Sequence, residues 1–245
     1  MKISKIVAAA ALAAMSLLLT NRAKAQTATL TAPVGWLTAS PGLVRAGLNP
    51  TLKWNITYPS TVIDYVDIVP PAIVKPLQKL DYQIRVLGAG VTTSNSDGSN
   101  LAFVPTEAVF SFNGGTYNRI FYGTNSSVNP STVVASGTAT AGQTLRFGGR
   151  YYYTGGWSTL YASSTGTNNV RTLVNGDFPP TTYPLATAPT LENFIKPYLD
   201  ASGRVSIGPM DVIVFMELTH TDAQNTQQGY DCQDMVLLVT FKPKN

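Results

Sequence analysis

The sequence predicts an all-β protein, a β-sandwich or Greek-key barrel with at most one short helix, near residues 190–199. Three observations carry this. Apolar and polar residues alternate with a period of two in several short runs, as in strands with one buried and one wet face. Gly, Asn and Ser punctuate those runs. Two late segments, 212–218 and 235–241, are nearly all apolar and contain no proline, as interior strands require.

In chain order, 51–58 places Leu52, Trp54, Ile56 and Tyr58 on one face and Lys53, Asn55 and Thr57 on the other. Tyr82, Ile84 and Val86 repeat the pattern against Gln83 and Arg85. Pro70-Pro71 and Pro179-Pro180 read as corners between strands. Asn95 to Asn100 reads as a turn. It begins like a calcium loop but lacks the closing Glu and the flanking helices of one. Asn113-Gly114-Gly115-Thr116 separates two β-prone runs, and a Gly pair that tolerates positive φ there predicts a hairpin. Short runs at 132–135, 144–147, 150–153 and 170–174 follow, each expected as a strand. At 190–199, Thr190 can cap a helix whose Leu191, Phe194, Ile195 and Leu199 share a face. Pro197 and Gly203 keep it short.

The first 25 residues read as an export signal. Lys2 and Lys5 precede an apolar run from Ile6 to Leu19, and Ala23-Lys24-Ala25 supplies the small residues of a cleavage site before Gln26. The run falls short of the ~20 apolar residues that span a bilayer. Residues 26–245 then form one domain, with a sub-lobe boundary, if there is one, near 177–189. Four of the 17 Lys and Arg (Lys2, Lys5, Arg22 and Lys24) leave with the signal and none of the 13 Asp and Glu does. The mature chain is therefore neutral, which argues against nucleic acid or anionic lipid as partner. Cleavage is expected to leave it secreted or periplasmic, with no membrane insertion. Cys232 is the single cysteine, read as a small buried hydrophobe.

Two segments stand out as candidate sites. The connection 219–234 exceeds the ~12–15 residues beyond which unstructured connections are often functional. It holds His220, Asp222, Asp231, Cys232 and Asp234. If its flanking strands are antiparallel neighbours, His220, Asp222, Asp231 and Asp234 emerge at one end of the sheet. There they present a metal-ligating set, with calcium the cation such oxygens suit. No other cofactor is expected. The second segment gathers Tyr151, Tyr152, Tyr153, Trp157 and Tyr161 among Gly148, Gly149, Gly155 and Gly156. Core packing is expected for most of these rings. Tyr153, Trp157 and Tyr161 are the candidates for stacking on a sugar or surface ligand, which requires them exposed around a shallow groove.

Catalytic motifs are lacking. No Gly-x-Ser-x-Gly elbow presents a serine, and with three Glu and ten Asp nothing favours a particular carboxylate pair. The leading expectation is a non-enzymatic structural or assembly protein of the cell exterior. Its β-prone segment 26–32 is expected to add to a neighbour's sheet edge, giving self-association. The alternative is an extracellular carbohydrate or surface-ligand binding module, with a glycan or cell-surface ligand as partner. A secreted hydrolase ranks third.

Overall fold

The computed structural model describes residues 34–39, 52–57, 61–93, 100–179, 195–227 and 229–244. The proposed signal, segment 26–32 and residues 180–194 lie outside them. Short strands follow one another along the chain: β1 (Val34–Ala39), β2 (Leu52–Thr57), β3 (Val66–Val69), β4 (Ile73–Pro76), β5 (Leu80–Ala89), β6 (Thr92–Thr93), β7 (Ala102–Phe103) and β8 (Thr106–Phe112). Then come β9 (Asn118–Gly123), β10 (Val133–Ala139), β11 (Leu145–Tyr153), β12 (Gly156–Trp157), β13 (Tyr161–Ala162), β14 (Val170–Leu173), β15 (Asp211–Met216) and β16 (Met235–Pro243).

Two antiparallel sheets dominate. One has the order β10-β5-β16-β15-β14; the other runs β3-β4-β11-β8-β9, with β12 and β13 added to β11. Neither closes on itself and no strand of one pairs with a strand of the other among the described residues, so the fold is a sandwich and not a barrel. The expected hairpin forms: β8 pairs with β9 around Asn113 and Gly114, both at positive φ. The helix expected at 190–199 is, within the described part, the 3-10 turn Lys196–Tyr198, which ends in extended backbone at Leu199.

The two apolar segments are adjacent central strands, with Val212 opposite Val239 and Val239 opposite Ile84. Both of their faces are covered. Val212, Val214, Met216, Met235, Leu237, Val239 and Phe241 point into the inter-sheet core, where Phe110, Leu145 and Phe147 of the other sheet meet them. Ile213, Phe215 and Val236 point the opposite way, beneath Ile195, Val205, Ile207, Tyr230 and Cys232. That second layer, built from residues 195–207 and 230–232, explains why these strands lack a polar face.

Two runs expected as separate strands, 144–147 and 150–153, are one strand, β11. Gly148-Gly149 does not interrupt it but lets β13 cross it closely. A Cβ on Gly148 would lie 2.7 Å from the Tyr161 carbonyl oxygen and 2.9 Å from the Ala162 Cβ. The hydroxyl of Ser163 fastens the crossing, accepting from the Phe147 amide and donating to its carbonyl.

Candidate functional site

The outer face of the seven-stranded sheet carries an ordered group of aromatic and charged side chains. Glu107 on β8 stands between Tyr122 of β9 and Arg150 of β11, and Tyr152 stands opposite Trp157 of β12. Directly opposed residues share a face, so these five form one outward group. A register shift between Ala108 and Val109 brings Arg119 into it.

Glu107 organises the charge. Its Oε1 accepts from Arg119 Nε at 2.6 Å and its Oε2 from Arg150 Nε at 2.5 Å. The two guanidiniums cover the carboxylate, which is why a glutamate on an outer face is only 3% exposed. They also lie over the rings: Arg150 Cζ is 4.3 Å from the Trp157 centroid, and Arg119 Cζ is 5.6 Å from Trp157 and 4.9 Å from Tyr122. Trp157 meets Tyr152 edge-on at 5.3 Å and Tyr122 at a tilt at 5.7 Å. Such tilted contacts with arginine stacking fix ring orientation. The rings still reach solvent, Trp157 at 38%, Tyr152 at 37% and Tyr122 at 46%. The result is a wet, pre-oriented platform with one net positive charge.

The rings expected to act together are divided. Trp157 and Tyr153 border the same shallow cavity, of about 290 Å³, with Thr154, Gly156 and Ser158. Tyr153 is exposed and accepts from the Thr93 hydroxyl at 3.1 Å. Tyr161 instead packs against the inter-sheet core, where burial, then the charge of Glu217, pushes its phenol up. Of the five rings expected to be mostly core, only Tyr151 and Tyr161 pack there; Tyr152, Tyr153 and Trp157 are exposed. Nor did the sequence point to Glu107, Arg119, Tyr122 or Arg150. The register of the β8–β9 hairpin was the available signal, since it sets Glu107 beside Tyr122.

The connection 219–234 is tied down by carboxylates. Glu217, fully buried just past β15, accepts through Oε1 from the Thr219 amide (3.1 Å), the Thr219 hydroxyl (2.6 Å) and the His220 amide (3.0 Å). His220 Nδ1 lies 3.2 Å from the same oxygen. Its Oε2 accepts from the amides of Asp231 (3.0 Å) and Cys232 (3.2 Å). Asp234 Oδ2 takes the amides of Leu218 (2.7 Å) and Thr219 (3.0 Å). Both ends of the connection are therefore held to one side chain, whose importance nothing in the local pattern announced.

The residues expected to ligate a metal each make hydrogen bonds within the chain, while Asp222 Oδ1 is buried without a partner among the described residues. His220 serves Glu217 and Thr219, and Asp222 accepts from Asn168 Nδ2 at 3.1 Å. Asp231 accepts from the Gln233 amide, and Asp234 from the two amides just named. Among the described residues no three His, Cys, Asp or Glu side chains converge as metal ligands. Cys232 is buried, and burial followed by the charge of Glu217 pushes its thiol well up, making it an inert hydrophobe.

Burial also raises Asp231, from an ordinary 3.8 to about 6, and raises Asp234 well above the usual range, with the charge of Glu217 adding to both. Between pH 4 and 6 the native state then binds a proton at Asp231 that the unfolded chain has lost. Stability from this group is present below about pH 4 and falls as pH rises through about 6. Asp231→Asn is expected to flatten that part of the stability profile and to stabilise the protein at pH 7 by on the order of 1–3 kcal/mol. Urea unfolding of both proteins from pH 4 to 7.5 checks the sign.

Comparison with protein-family models, curated proteins and solved structures returned no match. Among the described residues no helix is long and apolar enough to cross a membrane.

Proposed function

We propose that the protein is an exported, non-enzymatic binding module that takes a glycan on the Trp157 platform. The observation that carries this reading is the exposure of Trp157, Tyr152 and Tyr122 on one face, already oriented by Arg119 and Arg150. Exposed rings held rigid lose little entropy when a ligand arrives, and sugar rings offer apolar faces with polar edges that suit them. Tyr153 borders the adjoining cavity with Tyr151 and Trp157, on the opposite face of β11 from Tyr152. The two buried glutamates support a non-catalytic role, because each is occupied by hydrogen bonds that hold structure. The self-assembly reading rests on residues 26–32, outside the described structure, so the platform favours ligand binding over it.

A glycan array probed with wild type and Trp157→Ala tests the proposal. Wild type is expected to bind a defined subset, and the variant to lose about tenfold or more, the scale of a central aromatic anchor. Absence of binding to any glycan, or binding unchanged in Trp157→Ala, removes the reading.

A further inference from the structure

We infer that the ligand of this platform is an anionic saccharide, one carrying a uronate carboxylate or a sulfate ester. The inference rests on the binding-module reading and adds the ligand's chemical class. A platform for neutral sugars needs only rings and neutral hydrogen-bonding groups. This one places two guanidiniums over the central ring, 4.3 and 5.6 Å from the Trp157 centroid.

The arginines also exceed what the fold requires. Glu107 is the single carboxylate that pairs with either of them among the described residues, and it is shared by both. One arginine would neutralise it; the second leaves a net positive charge on the surface. Each uses its Nε–H on Glu107, which turns the guanidinium plane and leaves its two Nη groups without a protein acceptor among the described residues. The side chains are 50% and 32% exposed, so those donors are open to a ligand. A guanidinium pinned through Nε and stacked on an aromatic ring presents Nη–H donors at fixed positions. That is the geometry that recognises planar carboxylate or sulfate oxygens. The neutral mature chain makes this a local feature and not a consequence of a generally basic surface. Stacking on Tyr122 and Tyr152 would hold the sugar ring while the acid group meets the fork.

Affinity electrophoresis of the intact mature protein tests this, using gels containing polygalacturonate, dextran sulfate or uncharged dextran, with binding to insoluble xylan as a second neutral arm. Wild type is expected to be retarded by one or both acidic polymers at least about tenfold more strongly than by neutral ones, and less so at high salt. Arg150→Lys keeps the charge but loses the fork and is expected to lose most of that preference. Near-UV circular dichroism shows whether the variant retains the platform. If it does not, the wild-type salt dependence and acid-to-neutral ratio still decide. The two acidic arms separate carboxylate from sulfate recognition, and retention by either supports the inference. Neutral glycans binding as tightly as acidic ones, sensitive to Trp157→Ala, overturn the anionic class and leave the binding module standing. No retention by either acidic polymer overturns the anionic class, and the binding module then stands or falls by the glycan array.

Discussion

Replacing Glu217 with alanine is expected to lower the unfolding free energy by roughly 3–5 kcal/mol, among the largest effects of any single substitution in this chain. The side chain has no contact with solvent and is the acceptor for the amides of Thr219, His220, Asp231 and Cys232 and for the Thr219 hydroxyl. Truncation leaves several of those donors buried without a partner, each costing about 1–3 kcal/mol in the absence of relaxation. Relaxation of the connection recovers part of that sum. Glu217→Gln should be milder: its amide oxygen can serve one set of donors, while its NH₂ faces the other set's N–H groups. The midpoint of urea unfolding, at unchanged slope, measures both. If Glu217→Ala costs less than about 1 kcal/mol, the connection is not held by this side chain.

Phe215→Ala is expected to cost a similar amount, about 3–5 kcal/mol, although Phe215 points away from the inter-sheet core. In a two-layer sandwich an outward side chain of this kind would face water. Here residues 195–207 and 230–232 bury it completely, so truncation opens a cavity against Ile195, Ile207 and Tyr230. Tyr152→Ala, on the outer face of the other sheet, makes the contrast. It removes an exposed ring and its edge-on contact with Trp157, and should cost about 1 kcal/mol or less. Similar costs for the two substitutions would mean that the second layer does not seal its sheet.

What could be read from the sequence follows from the range of the interactions involved. The β8–β9 hairpin is encoded locally, by Asn113 and Gly114 between two β-prone runs. The central pair β15 and β16 declares itself by composition, because burial on both faces leaves 212–216 and 235–239 entirely apolar. The layer that causes that burial was not legible, since Val205, Ile207 and Tyr230 sit in irregular chain without a period. Gly148 reads as punctuation in the sequence because its purpose, the close approach of β13, is set by Tyr161 and Ala162, 13 and 14 positions away. The platform shows the same limit more strongly. Trp157 could be picked out as a ring among glycines, but Glu107, Arg119, Tyr122 and Arg150 come from three strands and meet only through register. At 219–234 the chemically unusual residues are His220, Cys232 and the aspartates. The organising carboxylate, Glu217, lies just before them, at the end of an apolar strand.

The most direct measurement of the central claim is the indole N–H signal of Trp157 in a ¹⁵N-labelled sample titrated with an acidic oligosaccharide such as oligogalacturonate. The chain has three tryptophans, so Trp157→Phe identifies the resonance. Ligand binding at the platform predicts that this signal moves and saturates with the same midpoint as bulk binding, with the Arg119 and Arg150 side-chain signals moving alongside it. Saturable binding that leaves the Trp157 indole unmoved would contradict it.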